Sequence, residues 1–270
     1  HNNTIGVIVS DITNLCFSRI CREVENLSSE AGYLTVFGSS DDNKKKCCQL
    51  VDRFLYFGVD GMIVAACPGA EPWIEKVMER GIPVVLIDRD LPSLKDPAPG
   101  RVYMDNNLAG RIAARMLIKR GYRKITLVRY ESDIVTLLDR EAGFLHEMRE
   151  KGLGNSASVS LVSKESMAKD ILSVISLAKD SGAEALIFPS ATITVSGIAA
   201  INRLGLSIPD DVAVAGFDLG DASGIFNPHI MFVNQPTNLI AEYSFKMLLS
   251  SMNGTAELGT RIVDPLIDSL

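Results

Sequence analysis

Three side chains combine suitable chemistry with an informative place in the sequence: Asp88, Asp218 and Arg140. Asp218 ends the stretch Ile208-Pro-Asp-Asp-Val-Ala-Val-Ala-Gly-Phe-Asp218. Val212 to Phe217 is a short apolar run of the kind that forms a strand buried on both faces of a parallel sheet. Pro209 disfavours helix at Ile208 and lacks an amide donor, which suits the loop leading in. Asp218 then falls at the carboxyl end of a strand, the edge where open α/β sheets bind ligands. Asp also caps turns, and the stretch by itself leaves both readings open. Asp88 repeats the arrangement after Pro83-Val-Val-Leu-Ile87. Arg140 is expected to open a helix that runs from Asp139. A cation opposes the helix dipole there, so an anionic or hydroxyl-rich partner would explain it; the alternative is an ordinary first-turn arginine. Carboxylates that accept and a guanidinium that donates paired hydrogen bonds suit a polyol. Phe17 and Phe188 either wall a sugar ring or are plain core.

Holding these groups at sheet edges requires a particular scaffold, and the punctuation of the chain supplies it. Amphipathic helix, Gly, one apolar residue and strand recur at Gly32, Gly58, Gly81, Gly121, Gly152, Gly182 and Gly205. Gly suits the position just past a helix end, so the recurrence spells β-α-β-α and parallel sheets flanked by helices. About four such units precede Leu91 to Gly100, where Pro92, Pro97, Pro99 and Gly100 forbid regular structure. After strand Arg101 to Met104 the alternation restarts through Asp105-Asn-Asn and a helix from Leu108 to Arg120. The second array includes strands at Lys124 to Val128, near Val159 and at Ala185 to Phe188, with helices Met167 to Ala178 and Thr194 to Leu204. Strand Ile230 to Val233, the Gln235-Pro236 break, helix Leu239 to Met252 and a short strand at Ile262-Val263 end the chain. The repeat is one of architecture, not of sequence.

Composition limits the alternatives. A chain of 270 residues, 47% hydrophobic and 22% charged, is ordinary for a soluble globular protein. No apolar run reaches bilayer length, no membrane partner is expected, and the first residues lack signal-peptide anatomy. A net charge of −6 argues against this chain gripping nucleic acid by itself, and Lys44-Lys-Lys46 reads as a solvated face. Five cysteines, Cys16, Cys21, Cys47, Cys48 and Cys67, show no Cys-x-x-Cys spacing, so neither a disulfide framework nor a zinc site is indicated. They read as small buried apolar groups in a reducing, cytoplasmic compartment. The histidines are scattered, and no nucleophile elbow, phosphate-binding glycine loop or H-E-x-x-H is present. No enzyme, no catalytic residue, no cofactor and no metal are expected.

With these residues in hand, the chain resembles the effector-binding domain of LacI/GalR transcription regulators. The resemblance runs through Ile5-Gly-Val-Ile-Val, Ile82-Pro-Val-Val-Leu-Ile-Asp88, Asp105-Asn-Asn-Leu-Ala-Gly110 and Gly121-Tyr-Arg-Lys-Ile125. Arg140-Glu-Ala-Gly-Phe144, Ile208 to Asp218 and Gln235-Pro236 continue it, in order and over essentially the whole length. It implies an α/β, periplasmic-binding-protein-like fold of type I: two doubly wound parallel-sheet subdomains joined by three crossovers. Residues 1–104 with 237–261 would form the amino-terminal subdomain, and 105–236 with 262–270 the other. It implies an effector, a sugar or related metabolite, in the cleft between subdomains, touched by Cys16, Phe17, Asp88, Thr136, Arg140, Phe188, Asp218 and Gln235. It also implies a homodimer through the helix Phe17 to Ala31, the helix Thr194 to Leu204 and the loop Ala222 to Phe226. Operator DNA would be bound through a helix-turn-helix domain upstream of this chain. The chain departs from the family pattern at Asn14-Leu-Cys-Phe17 and at Ala191-Thr192, where the family carries Asn-Pro-Phe/Tyr-Phe and Asn-Asp. An extracytoplasmic sugar-binding protein of a transporter shares the implied fold and is the alternative.

Overall fold

The computed structural model describes residues 2–220, 225 and 227–268. As far as Met104 the chain runs β1 (Thr4–Val9), α1 (Leu15–Glu30), β2 (Leu34–Ser39), α2 (Lys44–Phe57), β3 (Gly61–Val64), α3 (Glu71–Glu79), β4 (Val84–Ile87) and β5 (Gly100–Met104). It continues through α4 (Asn106–Lys119), β6 (Ile125–Tyr130), α5 (Val135–Glu150), β7 (Ala157–Val162), α6 (Met167–Asp180), β8 (Ala185–Ile187), α7 (Ala191–Arg203), β9 (Ala213–Phe217) and β10 (Met231–Asn234). Then come α8 (Thr237–Met252), β11 (Thr260–Val263) and β12 (Leu266–Asp268). These elements form two compact units, His1–Met104 with Pro236–Val263, and Asp105–Gln235 with Asp264–Leu270.

Each unit is built on a six-stranded sheet, ordered β11-β5-β4-β3-β1-β2 in the first and β12-β10-β9-β8-β6-β7 in the second. The two orders match strand for strand. The β10–β12 pair is antiparallel, whereas the corresponding β5–β11 pair is parallel. The apolar runs β1, β3, β4 and β9 are buried along their length, as strands covered by helices on both faces must be. In the first unit Ile8, Val64 and Leu86 pack against Val51 of α2 and Ile74 of α3. In the second, Val128, Leu186 and Phe188 pack against Ile171 of α6 and Ile198 of α7. Because β4 and β9 hold equivalent places in their sheets, Asp88 and Asp218 occupy equivalent strand ends.

Three boundaries differ from the sequence expectation. Helix α5 begins at Val135 rather than Asp139, with Ile134 as its extended cap and the Ile134 amide held by Ser132 Oγ at 3.1 Å. Its first turn carries Thr136 and Leu137 inward, an apolar signal too short to stand out in the sequence. Helix α7 begins at Ala191, because Ser190 caps it through the Ile193 amide. Ile262 and Val263, expected in the second subdomain, pair with Tyr103 and Met104 and therefore belong to the first sheet. The segment Ala222 to Phe226, expected in a dimer contact, lies outside the described residues except for Ile225.

The helix pair that carries Arg140 is held by charge as well as packing. Glu147 of α5 accepts from Arg115 at 2.7 Å and Arg111 at 2.9 Å, both on α4. Burial opposes its ionisation, but the Arg115 and Arg111 bonds outweigh that and hold its pKa below the ordinary value. A carboxyl depressed on folding contributes stability above its unfolded pKa, about 4.3. That contribution is lost as pH falls through the lower, folded value. Glu147→Gln should therefore be less stable than the parent at pH 7, with the gap narrowing toward pH 3. Urea unfolding at the two pH values checks this, and a gap that does not narrow refutes it.

Candidate functional site

In the second unit, five segments converge on one buried ion pair. Arg140 is 3% exposed and Asp218 is 8% exposed. The guanidinium donates from Nε to Asn106 Oδ1 at 2.9 Å, and from Nη1 to Pro189 O at 2.7 Å and Asp218 Oδ2 at 3.0 Å. Its carbon lies 4.8 Å from the centre of the Phe217 ring, within cation–π range. Asp218 Oδ1 accepts from the Gln235 amide at 3.0 Å. Asn106 opens α4 and Pro189 follows β8, while Asp218 and Gln235 follow β9 and β10. A charge taken out of water must be paired, and here each carboxylate oxygen and two guanidinium nitrogens are bonded. Among the described residues, Arg140 Nη2 meets no acceptor.

The expectation that Arg140 opens its helix is corrected by these contacts. Arg140 lies more than one turn inside α5, beyond the reach of the amino-terminal dipole. Burial, rather than the dipole, is what demands the anionic partner.

The first unit repeats the motif with different parts. Asp88 Oδ2 accepts from Arg89 Nε at 3.2 Å, and Arg89 Nη1 lies 2.7 Å from Asp42 Oδ1. Burial would discharge Arg89, yet Asp88 and Asp42 overcome it and push its pKa above the ordinary arginine value, so it remains a cation. Asp88 and Asp218 also share a backbone signature, with φ of 65° and 63°. Non-glycine residues rarely enter this region, Asp and Asn being the most tolerant. Both strands thus turn sharply at the carboxylate.

The other expected site residues fall as follows. Cys16 and Phe17 lie in the first turn of α1, 5% and 7% exposed, behind Asn14, whose side chain caps the helix through the Cys16 amide at 2.9 Å. Thr136 is 8% exposed in the first turn of α5, and Gln235 follows β10 beside Asp218. Phe188 does not wall an open site. It has no exposed surface, its ring lies in the core of the second unit, and a Cβ on Gly197 of α7 would stand 2.3 Å from it. Core packing, the second of the two readings open for it, describes this ring. Sequence reasoning missed Arg89, Asp42, Asn106 and Pro189. Arg89 was legible in principle as the cation beside a strand-end carboxylate, and Asn106 as part of the cap before α4. Asp42 and Pro189 carried no signal.

The profile described as periplasmic binding protein-like domain matches residues 84–268. The ribose operon repressor of Bacillus subtilis (strain 168) is 28% identical over 249 residues, covering 91% of this chain and 72% of the repressor. A crystal structure of a candidate ribose operon repressor from Burkholderia thailandensis superposes with a TM-score of 0.87 at 26% identity, covering 100% of both chains. A LacI family transcriptional regulator from Enterococcus faecium, solved with bound ribose, superposes with a TM-score of 0.85 at 22% identity, covering 98% of this chain and 97% of that one.

Proposed function

Because the chain belongs to the periplasmic binding protein-like domain family, and its homologues are LacI-family repressors, we propose that it is the sugar-sensing domain of a transcriptional regulator. The effector is a small neutral sugar, held by Asp218, Arg140, Gln235 and Thr136 of the second unit and by Asp88, Cys16 and Phe17 of the first. One observation carries this reading. Equivalent ends of the two sheets each present an aspartate in the left-handed region, with one carboxylate oxygen fixed by a guanidinium. A carboxylate so fixed offers an oriented acceptor for a sugar hydroxyl, and the guanidinium adds donors in a fixed plane. Each cation is balanced inside its own unit, so the pairs favour a neutral guest over a phosphorylated one. The bound ribose of the Enterococcus faecium regulator is of that class.

Binding would favour one conformation of the protein over another. That conformation would in turn set the spacing of two operator-reading domains in a dimer, in the cytoplasm where such repressors act. The test is calorimetric titration and thermal shift with ribose, other pentoses, hexoses and sugar phosphates. A neutral sugar should raise the melting temperature, since a ligand of the folded state alone stabilises it. Asp88→Asn and Asp218→Asn should each weaken binding by roughly tenfold or more, the size of a hydrogen bond to a charged group. Failure of every sugar to bind, or unchanged affinity in both variants, defeats the proposal.

A further inference from the structure

Arg89 of the first unit is held by one carboxylate more than its charge needs. Asp88 Oδ2 accepts from its Nε at 3.2 Å, and Asp42 Oδ1 stands 2.7 Å from its Nη1. All three lie at the carboxyl edge of the first sheet, Asp88 and Arg89 after β4 and Asp42 between β2 and α2. The second unit shows that a buried guanidinium does not require two anions. Arg140 is paired with Asp218, and its other bonds go to the neutral oxygens of Asn106 and Pro189. An amide at position 42 would serve Arg89 as Asn106 serves Arg140. The second negative charge is therefore surplus to packing.

The turn that presents Asp42 is held in place by its own contacts. Asp41 and Asp42 are consecutive non-glycine residues at φ of 56° and 55°, in the left-handed region that Asp and Asn tolerate best. Asp41 accepts from Ser39 Oγ at 3.0 Å and pairs with Lys46. The Asn43 side chain caps α2 through the Lys46 amide at 3.0 Å. Asp41 is thus balanced beside its own helix, whereas Asp42 is directed at Arg89. The Asp42 side chain is 26% exposed, against 11% for Asp88 and 8% for Arg89, so an incoming solute meets Asp42 first.

We propose that Asp42 is a specificity-determining residue: it takes the place on the Arg89 guanidinium that a phosphate would occupy, and so turns phosphorylated sugars away from the first unit. This deepens the sugar-sensing reading and rests on it. A guanidinium with an open edge is a phosphate ligand, because its planar fork matches two phosphate oxygens. With Asp42 in place the Nη1 edge is filled and two carboxylates face one cation. A phosphate group, carrying about 1.5 to 2 negative charges at neutral pH, is repelled there, in a partly desolvated setting where charges act strongly. A neutral sugar hydroxyl carries no charge for the surplus carboxylate to repel.

The test compares the whole chain with Asp42→Asn, Asp42→Gly and Asp41→Asn. Asn keeps the shape of the side chain and Gly suits the left-handed backbone, so the measurement survives poor folding of either. Asp41→Asn removes an equal charge one residue away and is the control. Thermal shift and calorimetry measure binding of inorganic phosphate, ribose and ribose 5-phosphate at constant ionic strength. Inorganic phosphate should leave the melting temperatures of the parent and of Asp41→Asn unchanged, and raise those of both Asp42 variants saturably. The affinity for ribose 5-phosphate relative to ribose should rise in the Asp42 variants by about tenfold or more, the size of one hydrogen bond to a charged group. A merely structural Asp42 would give lower melting temperatures and no new phosphate binding. That result overturns the proposal, as does phosphate binding of equal strength in the parent or an equal gain in Asp41→Asn. If the parent binds ribose and the Asp42 variants gain no phosphate, this proposal alone falls. If ribose and its phosphate fail to bind the parent while the Asp42 variants take up inorganic phosphate, the sugar reading falls and the exclusion of phosphate at Arg89 stands.

Discussion

Arg140→Ala is expected to abolish sugar binding and to destabilise the second unit by about 3–5 kcal/mol, the cost of removing one partner from a buried ion pair. The magnitude follows from what is left behind. Asp218 stays 8% exposed, and among the described residues its charge is then answered by the Gln235 amide and a long contact to Gln235 Nε2. Asn106 Oδ1 and Pro189 O lose their donor as well. Arg140→Lys should rescue little, because a single ammonium cannot serve three acceptors spread around a planar fork. Arg140→Met combined with Asp218→Asn should cost less than the sum of the single changes, since the pair falls together. Urea unfolding supplies the stabilities and calorimetry the affinities. A loss below about 1 kcal/mol for Arg140→Ala, typical of exposed ion pairs, would show that the pair is not the anchor of the site.

The fold was legible because its signals are periodic. Helix, glycine and strand alternate with a restart after the proline-rich break, and Gly58, at φ 80°, closes α2 where that punctuation demands. Apolar runs such as Val84–Ile87 announce two-sided burial. The strand-end aspartates followed from the same logic, since a polar residue ending such a run must face the sheet edge. What escaped detection was set by contacts distant in sequence. β12 is a three-residue antiparallel strand, too short for any period to register. Phe188 ends its strand as a ligand wall would, and only the packing of α7 over it decides that it is core.

Arg140 shows how a sound inference can rest on the wrong cause. Its need for an anion was visible, but the reason lay in burial between α4 and α5, which a sequence cannot display. The two guanidinium–carboxylate motifs differ in the same way. Arg89 is adjacent to its aspartate, whereas Arg140 is 78 residues from its own, so only the first was within reach of local reading.

The second large effect is expected at the α4–α5 crossing. On an exposed helix Gly→Ala stabilises by about 1 kcal/mol; at Gly110 and Gly143 the sign should reverse. A Cβ at Gly110 would stand 1.9 Å from Arg140 O, and one at Gly143 would stand 2.0 Å from Asn107 O. Both obstacles are backbone atoms of the facing helix, with no flexible side chain to swing aside. The helices must part by an ångström or more, which exceeds the adjustment behind the usual overpacking cost of about 1–3 kcal/mol. The same displacement draws Arg140 Nε away from Asn106 Oδ1, now at 2.9 Å, so the proposed sugar affinity should fall although neither glycine is among the residues proposed to hold the sugar. Gly259→Ala, where a Cβ meets nothing within 4 Å, is the control and should leave stability and affinity near those of the parent. If Gly110→Ala and Gly143→Ala unfold at the parent's urea midpoint and bind sugar as tightly, then the close helix contact does not position the guanidinium.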